Sequence, residues 1–109
     1  MAEQRKRRSD RNHIIYLLTS PSGLTYVGIT VMQGRAKMES MDRRWAAHCR
    51  NALEYGKDYR LSQCIREEGR ENFRRQVIEV VRGKAEAHSR EITIIKQMQT
   101  PLNMVGMGF

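Results

Sequence analysis

The stretch His13-Ile14-Ile15-Tyr16-Leu17-Leu18-Thr19-Ser20-Pro21-Ser22-Gly23-Leu24-Thr25-Tyr26-Val27-Gly28-Ile29-Thr30 decides how the chain folds. Its two arms are rich in Ile, Val, Thr and Tyr, the residues that suit a pleated, half-buried surface. Between them stands Ser20-Pro21-Ser22-Gly23. Proline presets φ for a turn and glycine supplies positive φ, so the stretch predicts a hairpin with a short loop. Each arm carries one tyrosine, Tyr16 and Tyr26, and Val27-Gly28 follows the second.

Outward from the hairpin, size and charge narrow the function classes. The chain has 109 residues, room for a single domain with one modest core. Lys and Arg number 20 against 12 Asp and Glu, a net charge of +8, which favours a polyanionic partner. No apolar run approaches the ~20 residues that span a bilayer, and the polar N-terminus lacks the apolar region of a signal peptide. Cys49 and Cys64 form neither a metal-like pair nor a disulfide framework. A reducing compartment is therefore expected, the cytoplasm or nucleoid. Residues 1–12 read as a basic flexible arm and 13–109 as the folded domain. In the arm Arg5, Lys6, Arg7, Arg8 and Arg11 oppose only Glu3 and Asp10, with no apolar anchor. Such an arm is expected to lie on phosphates.

Past the hairpin, Val31 to Ser40 reads as a loop with Gly34 near its middle. Met41 to Tyr55 reads as a helix whose apolar stripe is Met41, Trp45, Cys49 and Ala52, with Ser40 as its N-cap. Arg44 and His48, four apart, stack along the border of that stripe. Arg60 to Glu68 is a short helix stopped by Gly69. Phe73 to Val81 reads as a strand, and its apolar run from Val77 suits a central position buried on both faces. Lys84 to Met98 is the last helix, ended by Thr100-Pro101.

That helix contains a conflict. At about 100° per residue, Glu91 falls inside the apolar arc, between Ile95 and Met98. A carboxylate facing a core is costly unless it is paired or binds a cation. Two readings stand: a salt bridge to an arginine, or a metal-binding or catalytic carboxylate.

The two triplets Ile14-Ile15-Tyr16 and Tyr26-Val27-Gly28, nine residues apart, resemble the signature of the GIY-YIG nuclease family. Ile14 stands where the signature has Gly, and Val27 where it has Ile. Three further elements follow in the family's order: Arg44 with His48 on the first helix, Glu91 on the helix after the third strand, and Asn103 near the end. The stretch between Gly28 and Arg44 is longer than usual in the family, so the extra residues are expected to bulge as the Val31 to Ser40 loop and touch DNA. The resemblance implies an α+β fold, a three-stranded antiparallel sheet flanked by helices. It also implies a divalent-metal-dependent DNA endonuclease, of a phage or mobile-element homing type by its small size.

By the same resemblance, Glu91 would bind one Mg²⁺ or Mn²⁺ and Arg44 the scissile phosphate. Tyr16 or His48 would take the proton of the attacking water, and the sequence does not order the two. A cationic surround would favour the Tyr16 phenolate. Tyr26 would orient water or phosphate, with Gly28 and Asn103 in support. Arg35, Lys37 and Arg43 join the arm as DNA-binding candidates. Cutting both strands would need sequential nicks, a homodimer or a partner that supplies specificity. The alternative is a non-catalytic basic nucleic-acid-binding protein on the same fold.

Overall fold

The computed structural model describes residues 11–103. Strands β1 (Asn12–Thr19) and β2 (Thr25–Val31) form the expected hairpin. Helix α1 (Lys37–Leu53), helix α2 (Arg60–Glu68), strand β3 (Arg74–Arg82) and helix α3 (Lys84–Met98) follow, with single 3₁₀ turns at Arg70–Asn72 and Pro101–Asn103. The sheet is antiparallel throughout, in the order β2-β1-β3. At the hairpin tip, Gly23 takes φ 95° and donates its N–H to the Ser20 carbonyl at 2.9 Å.

Alternation along β1 builds two cores. Ile14, Tyr16 and Leu18 face α1 and α2, where they meet Met41, Trp45 and Cys49 of the predicted stripe. The indole of Trp45 lies 5.1 Å from the Phe73 ring, centroid to centroid. Ile15 faces the other way and meets Val27 and Ile94, with Leu17, Ile29, Val81 and Ile95 around them. The sheet is thus sandwiched, α1 and α2 on one face and α3 on the other.

Three local expectations are corrected. The strand buried on both faces is β1, not β3: Ile14, Ile15 and Leu18 are wholly buried, whereas Ile78 and Val80 of β3 are more than a third exposed. β1 pairs on both sides, which leaves β3 at an edge. Between Ile15 and Tyr16 the register steps from Glu79 to Val77, so Ile78 has no partner across the ladder. Such a bulge twists an edge strand.

The expected loop of residues 31–40 is also shorter. β2 runs to Val31 and α1 begins at Lys37, so only residues 32–36 connect them. Finally, Ser40 lies inside α1 rather than capping it. Its hydroxyl accepts the Gln33 N–H at 3.1 Å, while Ala36 stands at the N-cap without a side-chain bond. The Ser40 oxygen satisfies the backbone of the incoming loop, and the helix gains a turn ahead of it.

The strand order is testable by stability. Ile15→Ala, at a wholly buried site, is expected to cost about 2–5 kcal/mol. Ile78→Thr, at the partly exposed bulge, should change stability by about 1 kcal/mol or less. Urea midpoints with unchanged slopes would check both; equal losses would place β3 in the interior.

Candidate active site

The site begins with a missing side chain. Gly28 of β2 lies opposite Tyr16 of β1. A Cβ at position 28 would collide with the ring and hydroxyl of Tyr16 and would come within 2.9 Å of Cε1 of Tyr26. Glycine therefore lets the Tyr16 ring lie across β2. Tyr26 faces Leu18 in the same ladder, diagonal to Tyr16 on one face of the sheet. Their ring centroids are 6.3 Å apart.

Helix α1 completes the group from above. The His48 ring centroid lies 6.1 Å from that of Tyr16 and 5.4 Å from that of Tyr26, edge-on to the latter. Nε2 of His48 is 2.8 Å from the Tyr16 hydroxyl. His48, on the stripe's border in the sequence, is buried at 7 % exposure. Arg44, one turn earlier on the same helix, is exposed. Its positive charge acts on Tyr16, Tyr26 and His48 alike.

Burial dominates the protonation states. It pushes the Tyr16 phenol well above its ordinary range, more strongly than Arg44 pulls it down, and it raises Tyr26 in the same way. Against Arg44 alone, desolvation of the anion outweighs the attraction of one guanidinium, and the phenol is the favoured form. Burial, reinforced by Arg44, drives His48 down to about 4. The pair at neutral pH is a neutral phenol and a neutral imidazole, so the phenol donates and Nε2 accepts.

Glu91 reaches this site from α3, the helix on the opposite face, and its charge raises both tyrosines. Its side chain is 15 % exposed, and burial raises its own pKa. The contact found is with Nδ1 of the exposed His88, at 3.3 Å. Among the described residues the arginine salt bridges join Arg75 to Asp42 and Arg90 to Glu79, not Glu91. Nor do these residues contain a group of three or more His, Cys, Asp or Glu able to hold a metal ion. Glu91 is the carboxylate here that could hold a divalent cation, with water and phosphate oxygens in remaining positions.

Asn103 is a positioning residue. Its Oδ1 accepts the Val27 N–H at 2.7 Å and its Nδ2 donates to the Val27 carbonyl at 2.8 Å. It thereby pairs both backbone groups that β2 would otherwise leave open on its outer edge, one residue before Gly28. The wholly buried Thr100, read in the sequence only as a helix stop, donates its hydroxyl to the same Oδ1 at 2.6 Å. A Thr three residues before an Asn was the available signal for this turn.

Two hollows flank Arg44. One, of about 510 Å³, is also lined by Tyr26, His48 and Asn103. The other, of about 210 Å³, is lined by Thr30, Gln33, Arg43 and Arg50 as well. Arg35, Lys37 and Arg43 are exposed around the start of α1. Arg5, Lys6, Arg7 and Arg8 lie outside the described residues, as does all of the basic arm except Arg11 and Asn12, where β1 begins. Cys49 and Cys64 are buried free thiols. No helix among the described residues is long and apolar enough to cross a membrane.

Comparison with known proteins agrees with this geometry. No curated protein and no solved structure matches the chain. The family model of the GIY-YIG catalytic domain, however, matches residues 12–103, nearly all of it. On that match the chain belongs to the GIY-YIG nuclease family.

Proposed function

We propose that this protein is a divalent-metal-dependent endonuclease that hydrolyses phosphodiester bonds in double-stranded DNA, with Tyr16, Tyr26, Arg44, His48 and Glu91 as its working residues. The observation that carries this reading is the 2.8 Å hydrogen bond between the Tyr16 hydroxyl and His48 Nε2, placed between a cation and a carboxylate. A tyrosine with so costly a phenolate is a poor base alone. Next to an unprotonated imidazole it becomes a relay. As the hydroxyl oxygen of Tyr16 accepts the proton of the attacking water, its own proton passes to Nε2 of His48. The water oxygen forms the new bond to phosphorus, the bond to the leaving oxygen breaks, and the proton is held on the imidazolium. Arg44 on the adjacent turn can donate two parallel hydrogen bonds to the phosphate and offset its gathering charge.

Glu91 is the residue that would hold the divalent ion. When bound there, the ion supplies Lewis-acid stabilisation of the phosphate and of the departing 3′ oxygen. Asn103 and Gly28 act on geometry: one braces β2 at Val27, the other makes room for Tyr16. The net charge of +8 favours a nucleic-acid substrate. Arg35, Lys37, Arg43 and the basic arm extend the phosphate contacts beyond the site. A homing or phage setting, and assembly as a dimer on DNA, extend the same proposal.

The test is nicking of supercoiled plasmid with Mg²⁺ or Mn²⁺ and with chelator. Wild type is expected to nick only with metal. Glu91→Gln, which keeps the shape and removes the charge, is expected to abolish nicking while the circular dichroism spectrum is retained. Metal-independent cleavage, or full activity in Glu91→Gln, would overturn the reading. Arg44→Ala should lower the rate by about a hundredfold or more, as loss of a transition-state donor does; an unchanged single-turnover rate would exclude Arg44 from the phosphate.

The relay also has a pH signature. His48 stays unprotonated down to about 4, so the rate should hold level as pH falls through 6.5. A loss of rate with its midpoint at 6.5 that disappears in His48→Gln would show an ordinary, hydrated histidine and refute the buried pair.

A further inference from the structure

The 510 Å³ hollow beside Arg44 is larger than holding a phosphate requires. Its buried lining includes the apolar Leu61 and Leu102, 3 % and 8 % exposed, beside the hydroxyl-bearing Ser62. At its rim stands Tyr59, whose residue is 61 % exposed although its ring is aromatic and uncharged. Tyr59 is the N-cap of α2 with extended backbone (φ −65°, ψ 149°), so it is held by a helix terminus rather than by a loose loop. Asn51 and Asp58 add an amide and a carboxylate to the wall. The cavity opens directly onto the residues of the proposed reaction, since Tyr26, Arg44 and His48 line it as well.

An exposed ring beside a partly apolar lining, with an amide and an acceptor in the same wall, matches a nucleobase. The faces of a base stack on tyrosine, and its edge carries both donors and acceptors. An amide can bond the adenine edge on two atoms, and a carboxylate can accept from the amino group of cytosine. A base still stacked in a duplex cannot enter such a hollow, whereas an unpaired one can swing out of the helix at low cost.

We propose that the hollow is a subsite for one unpaired nucleobase of DNA, whose neighbouring phosphate sits at Arg44, with Tyr59 as the stacking residue. It rests on the endonuclease reading and names the substrate class of the same site. DNA carrying an extrahelical nucleotide, rather than a perfect duplex, is then the preferred substrate. Tyr59 sets that preference.

The experiment measures equilibrium binding of the full chain in its Glu91→Gln form, so that no cleavage intervenes. Two fluorescein-labelled duplexes of one sequence are used, one fully paired and one with a single-nucleotide bulge. The bulged duplex is expected to bind about tenfold tighter, the scale of one base–aromatic stack. Adding Tyr59→Ala should bring the two duplexes to equal affinity, and Tyr59→Phe should restore the difference, because the ring and not the hydroxyl does the stacking. Equal affinities in the Tyr59-containing protein, or a preference that survives Tyr59→Ala, would overturn the subsite. Plasmid nicking by wild type is scored separately. Nicking without bulge preference rejects the subsite and leaves the nuclease standing, whereas bulge preference without metal-dependent nicking rejects the nuclease and leaves a base-binding pocket.

Discussion

The candidate site depends on the absence of a side chain at Gly28. Two neighbouring strands in a sheet ordinarily keep a layer of side chains between the backbone and whatever packs above it. Here one position of that layer is empty, and the Tyr16 ring occupies it. A ring lying over β2 has its hydroxyl beneath α1, where His48 meets it, and beside Tyr26. Any other residue at 28 would push Tyr16 upright and break the contact with the imidazole. The same packing explains why Asn103 spends both ends of its amide on the backbone of Val27. An edge strand that carries a close contact must not shift, and the side-chain pair replaces the missing outer strand.

Desolvation then biases the protonation states of the site. The tyrosines and His48 are packed between the sheet and α1, and a charged form of any of them is costly there. Each group taken alone would be a poor catalyst: a phenol too reluctant to ionise and an imidazole too reluctant to accept. In the proposed relay one proton would enter the Tyr16 hydroxyl as another leaves it for Nε2 of His48, so a free phenolate need not form. Arg44 and Glu91 act on the tyrosines with opposite signs, one from the helix above and one from the helix below the sheet. The sheet thus separates the positive and negative elements of the site while its edge lets both reach the same two rings.

Much of this was legible along the chain because it depends on near neighbours. The turn residues announced the hairpin, the 3.6-residue period exposed the stripe of α1, and Gly69 and Pro101 marked where helices stop. Glu91 stood out because a carboxylate in an apolar arc contradicts its own helix. Less legible was what distant segments decide together. The apolar run of β3 looks like an interior strand, but which strand takes the middle depends on β1 finding partners on both edges. Ser40 has the chemistry of a cap, yet a loop seven residues back claimed its hydroxyl. His48 lay on the border of a stripe, and only the approach of the sheet decided that it would be buried.

The sequence by itself determined the family and the antiparallel α+β fold, and it named candidate residues for a phosphoryl site, because these follow from motif, period and local backbone preference. Tertiary structure alone decided the strand order, the burial that favours the neutral forms of Tyr16 and His48, and the hollow that Tyr59 lines. Those properties arise from desolvation and from contacts between residues tens of positions apart. Neither can be read from a segment until the segments that cover it are in place.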